Sequence, residues 1–118
     1  MVNLGTKLEK EMKSNDNQNK ILTDYKQYLR LEKSLSAQTV EAYSVDLQKL
    51  LYFLEDEQIH FLDVKLENLE LFCAKLRDIG IHPRSQARIL SGIRSFYHFL
   101  IIEDYIQADP TQLLESPK

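Results

Sequence analysis

Four stretches of this chain repeat apolar residues at every third or fourth position, and none reads convincingly as a strand. Ile21, Leu22, Tyr25, Tyr28 and Leu29 form the first set, from about Asn19 to Lys33. On a helix drawn at about 100° per residue, Val40, Tyr43, Leu47, Leu50, Leu51 and Leu54 share one side. Val64, Leu66, Leu69, Phe72, Cys73, Leu76 and Ile79 repeat the pattern, as do Ile89, Leu90, Ile93, Phe96, Tyr97 and Leu100. Stripes of this kind are buried by packing helix on helix. Three glycines and three prolines in 118 residues also disfavour a turn-rich β architecture.

Local signals set the expected boundaries. Ser34-Leu35-Ser36 interrupts the first helix, and Ser36 is a good N-cap for a second that starts at Ala37 and ends near Asp56. The third follows Asp63 and stops at Gly80. Pro83 suits the first turn of a fourth helix reaching about Glu103, and Asp109-Pro110 opens a short fifth through Leu114. Residues 1–18 are polar and read as an extension, mobile or partly helical. The fold expected is all-α, a four-helix bundle with a short fifth helix. One cysteine excludes a disulfide framework and a thiolate cluster. No apolar run is long enough to span a bilayer, and the N-terminus has no signal-peptide core. A cytoplasmic domain is expected, with no metal, cofactor or small-molecule substrate.

Charge is segregated along the chain. The formal net charge is −3, and six acids stand between Glu55 and Glu70 against the single Lys65. Residues 79–102 then contain no acid at all, and they carry Arg84, Arg88 and Arg94. In SQARILSGIRSFYHFL the wheel puts Arg84, Arg88, Ser91, Ser95 and His98 opposite the apolar arc, with Arg94 at the edge and Ala87 and Gly92 flanking. Guanidinium forks and hydroxyls bind phosphate, small residues allow close approach, and a carboxylate would be repelled. The wheel alone fits a DNA-facing surface or a solvated face that lacks acids. Ser34, Ser36, Gln38 and Thr39 surround the start of the second helix, a place suited to anions. Ordinary capping by Ser36 accounts for that run equally well.

Two stretches together carry a resemblance. LTDYKQYLRLEKSLSAQTVEAYSVDLQKLLYFL and SQARILSGIRSFYHFLIIEDYIQADPTQLLESPK resemble the start and end of the N-terminal core-binding, SAM-like domain of tyrosine site-specific recombinases, the family of phage integrases and Xer recombinases. The likeness runs over residues 21–118 and is nearest to the XerC/XerD type. It implies an orthogonal helical bundle that forms half of a clamp on double-stranded DNA, with the second and fourth helices against the major groove. By position, the implied contacts are Lys33, Ser36, Gln38, Thr39 and Tyr43, then Arg84, Ser85, Arg88, Ser91, Arg94, Ser95 and His98. The wheel moves Ser85 toward the core boundary, so it reads as the helix start instead. Ser44 and Val45 stand where Xer relatives often carry basic residues.

The resemblance also implies sister subunits in a synaptic tetramer and a parent enzyme that cuts DNA with a tyrosine nucleophile. The chemistry itself is not expected within this chain. His60, His82 and His98 are followed three residues later by Asp63, Ser85 and Ile101, so no His-x-x-Arg element exists here. Residues 19–115 are expected to be the binding domain and 116–118 the start of an interdomain linker, with the catalytic domain beyond. An alternative is a helical protein–protein interaction module using Phe99, Ile101 and Ile102 as exposed apolar positions.

Overall fold

The computed structural model describes residues 4–116, with side chains from residue 17 onward. The described residues form four α-helices, α1 (Leu4–Leu31), α2 (Ala37–Asp56), α3 (Leu66–Asp78) and α4 (Pro83–Ile102), with a 3₁₀ turn at Phe61–Asp63 and no strand. The chain divides into two compact units, the second beginning at Gln38. In the first unit α1 begins at Leu4, well before the apolar pattern starts at Asn19. The polar stretch expected to be an extension is therefore helical from Leu4, and only residues 1–3 of it lie outside the described residues. Ile21, Tyr25 and Leu29, one turn apart, are buried. Ser34 then turns left-handed at φ 55°, and the Leu35 N–H reaches the Leu29 carbonyl at 3.0 Å.

The second unit is built from α2, α3, α4 and the residues that join them. Its three helices end alike. Gln58, Gly80 and Asp104 each adopt positive φ, and the next N–H closes on a carbonyl five residues back: Ile59 to Leu54, Ile81 to Leu76, Tyr105 to Leu100. Histidine opens both the 3₁₀ turn and α4. His60 Nδ1 accepts the Leu62 N–H at 3.2 Å ahead of the 3₁₀ turn, and His82 Nδ1 accepts the Arg84 N–H at 3.1 Å ahead of α4. The expected fifth helix is a run of turns instead. Asp109 Oδ1 accepts both the Thr111 N–H and its hydroxyl, and the turn bonds that follow, Gln112 N–H to the Asp109 carbonyl and Leu114 N–H to the Thr111 carbonyl, are not consecutive.

Aromatic contacts join these elements. Phe53 of α2 lies 5.3 Å from Phe72 of α3, and Phe61 lies 6.1 Å from Phe96 of α4. Cys73 is buried as expected; burial pushes its thiol pKa up, and nearby Arg77 partly opposes the shift. Phe99 is also buried, at 1% exposure. That corrects its expected place on an exposed apolar surface, because the buried side of α4 is wider than a simple arc and Gly92 and Phe99 lie within it.

Tyr97 donates its hydroxyl to the Phe61 carbonyl at 2.8 Å, and burial drives its phenol far above the ordinary value of 10.0. The unfolded phenol ionises as pH rises through about 10 while the folded one keeps its proton, so stability falls there by about 1.4 kcal/mol per pH unit. Tyr97→Phe should cost about 1 kcal/mol at pH 7. In urea melts at increasing pH, that deficit is expected to shrink and vanish by about pH 11, because phenylalanine has no proton to lose.

Candidate nucleic-acid interface

One exposed stripe remains on α4 after its core face is buried. Residues at positions i, i+4, i+7, i+11 and i+14 lie along one side of a helix, and Arg84, Arg88, Ser91, Ser95 and His98 have that spacing. Arg84, Arg88, Ser91 and His98 are exposed, and Ser95 is half-buried. Arg84 makes no side-chain hydrogen bond or ion pair among the described residues. On α2, Gln38 is exposed, while Thr39 and Tyr43 are half-buried. Lys33 and Ser36 belong to the first unit and are exposed there; the Lys33 ammonium lies 5.8 Å from the Tyr28 ring centre.

The stripe is not free of carboxylate, because α2 brings one to it. Asp46 is 1% exposed. Its Oδ2 accepts Arg88 Nε at 3.0 Å, and its Oδ1 accepts Arg88 Nη2 at 3.1 Å and Lys49 Nζ at 3.1 Å. Removing a carboxylate from water costs several kcal/mol unless cations and donors compensate. Two cations and three donors do so here, and the triad keeps a net charge of +1. Arg94 is engaged differently. It donates to the Leu114 carbonyl at 2.6 Å and to Ser116 Oγ at 3.2 Å, tying the segment after α4 back onto the helix. Those acceptors are neutral, so Arg94 retains its charge.

Two hydroxyls fold back on their own helices. Ser91 donates to the Ala87 carbonyl at 3.1 Å and Ser44 to the Val40 carbonyl at 2.8 Å, so either must rotate before it can donate to a phosphate. Gly92 also differs from expectation. It is buried, and a Cβ built on it would stand 4.0 Å from Tyr43 Cγ. It lies where α2 passes α4, with Tyr43 opposite Gly92 and Asp46 opposite Arg88. Ordinary contact at 4.0 Å leaves room for a methyl group, so Gly92→Ala is expected to stabilise the chain by about 0.5–1 kcal/mol in urea melts.

Other surfaces suit a polyanion less well. A cavity of about 390 Å³ beside α3 is lined by Glu70 and Glu115 as well as Arg77. Among the described residues no group of three or more His, Cys, Asp or Glu side chains could hold a metal ion. None of the described helices is long and apolar enough to cross a membrane.

Sequence comparison agrees with the all-helical fold. Residues 22–104 match the phage integrase N-terminal SAM-like domain, and the chain belongs to that family. Among curated proteins it is similar to the tyrosine recombinase XerD of Staphylococcus saprophyticus, at 39% identity over 99 residues, 83% of this chain and 34% of that one. The XerD of Staphylococcus epidermidis strain RP62A is 39% identical over 101 residues, 85% of this chain and 34% of that protein. The XerD of Staphylococcus aureus strain Mu50 is 39% identical over 99 residues, again 83% and 34%. The chain thus spans about a third of the length of these relatives. No solved structure matches it.

Proposed function

We propose that this chain is the DNA-binding half-clamp of a tyrosine site-specific recombinase and grips double-stranded DNA through α2 and α4. Residues 19–115 form the binding domain, and 116–118 begin the linker to a catalytic domain. The observation that carries this reading is the exposed stripe of α4. Arg84 and the outer edge of Arg88 stand on it beside Ser91 and His98, and its one carboxylate is buried under two cations. Such a surface offers donors and positive charge to a phosphate backbone. Family membership supports the same role, since the relatives named above are tyrosine recombinases. The chain contributes no strand-cleaving residue; it holds the DNA for the catalytic domain and meets sister subunits in the assembled tetramer. The rival reading, a protein-interaction module on the outer side of α4, loses its largest side chain with the burial of Phe99.

On the face of the second unit, Arg84, Arg94 and the triad supply three net positive charges. Log affinity for duplex DNA should therefore fall with log salt at a slope of about −3. Fluorescence-anisotropy titrations at several salt concentrations measure it. Binding indifferent to salt, or no binding at low salt, would refute the proposal.

A further inference from the structure

The Arg88 guanidinium is held along one edge. Its Nε and Nη2 meet the two oxygens of Asp46 at 3.0 and 3.1 Å, which occupies the side-on edge of the planar group. A guanidinium has five N–H donors, so the end-on edge, with one hydrogen on Nη1 and one on Nη2, is left to face outward. Asp46 is itself buried and also takes Lys49 Nζ at 3.1 Å, which braces the carboxylate from a second side. The Arg88 side chain is nevertheless 55% exposed. A fixed plane with two parallel donors suits two acceptors side by side on a rigid ring edge, and guanine N7 and O6 in the major groove are such a pair. A phosphate also accepts a fork, but a freely turning cation can follow it, so a fixed plane matters more at a rigid base edge. The other two arginines of α4 lack this arrangement. Arg94 donates to Leu114 and Ser116, and nothing among the described residues fixes Arg84.

Resting on the DNA-binding reading above, we propose that Arg88 reads a guanine in the bound duplex and that Asp46 is the positioning residue that fixes its fork. Arg88 then determines specificity, while the remaining cations of the stripe hold the backbone. Asp46→Asn keeps the shape but accepts on only one oxygen, so the fork can pivot. Arg88→Lys keeps the charge but has no fork.

The test is selection of the 118-residue chain against duplexes randomised at their centre, followed by anisotropy on the enriched duplex and on its single-base variants. The wild-type chain should prefer guanine at one position by about 5- to 150-fold over other bases. Both variants should lower that preference to within about threefold, measured against the same duplexes. Asp46→Asn also removes a negative charge, so its salt slope should steepen by about 1, a change that lost packing does not produce. Arg88→Lys should leave the slope as it is. A guanine preference unchanged in both variants, or wild-type binding that treats all bases alike, overturns the proposal and leaves the DNA-binding reading standing. Failure of the wild-type chain to bind any duplex removes both. If circular dichroism shows Asp46→Asn unfolded, Arg88→Lys decides by the same preference.

Discussion

Arg84→Glu is expected to weaken binding to duplex DNA at low salt by about 10- to 100-fold. A charge-assisted hydrogen bond to phosphate contributes about 1.5–3 kcal/mol, and reversal adds repulsion. The slope of log affinity against log salt should become shallower by about 1 to 2. Folding cannot account for this loss. Arg84 is exposed, follows Pro83 in the first turn of α4, and makes no side-chain ion pair among the described residues. An acid in the first turn of a helix is favoured by its dipole by about 0.3–1 kcal/mol. The variant should therefore melt at or slightly above the wild-type temperature while losing DNA. Parallel anisotropy and thermal melts measure both quantities, and retained affinity would move the DNA face away from the start of α4.

Phe96→Ala is the largest stability effect expected. Phe96 is fully buried, 5.3 Å from the Tyr97 ring and 6.1 Å from that of Phe61. Its truncation leaves a cavity where α4 meets the 3₁₀ turn, at a cost of about 3–5 kcal/mol. A domain of this size has about 5–15 kcal/mol in all, so the variant should melt roughly 12–30 °C lower. Loss of helical signal at 222 nm on heating measures it. A shift of only a few degrees would mean that this part of the core can collapse around the vacancy.

Most of the helix boundaries could be read from the sequence because local chemistry sets them. Ala37 and Pro83 start α2 and α4 where the cap and proline signals stand, and Gly80 ends α3 through a positive φ. The early start of α1 escaped because a polar run has no apolar period to announce it, although nothing in its residues breaks a helix. The 3₁₀ turn and the turns near Asp109 are single-turn features, held by His60 and Asp109 side chains that periodicity does not report.

The candidate site was legible as a stripe and not as a set of partners. A helical wheel of α4 finds Arg84, Arg88, Ser91, Ser95 and His98 on one side, but it is blind to what a neighbouring helix brings. Asp46 is 42 residues from Arg88, and its carboxylate decides which edge of the guanidinium is available. One signal for it did exist. An isolated acid one turn after Tyr43 and one turn before Lys49 flanks the apolar arc of α2, where a solvated acid is not the only possibility. Arg94 was equally opaque, since its acceptors lie beyond the end of α4.

The most direct test of the DNA face follows backbone amides of the chain by NMR while duplex DNA is added. If α2 and α4 form the grip, shifts should gather at residues 38–43 and 84–98 and fade as salt is raised. The acidic stretch at residues 55–70 should stay unmoved. Shifts confined to that stretch and to α3, with the α4 stripe unchanged, would contradict DNA binding through this surface.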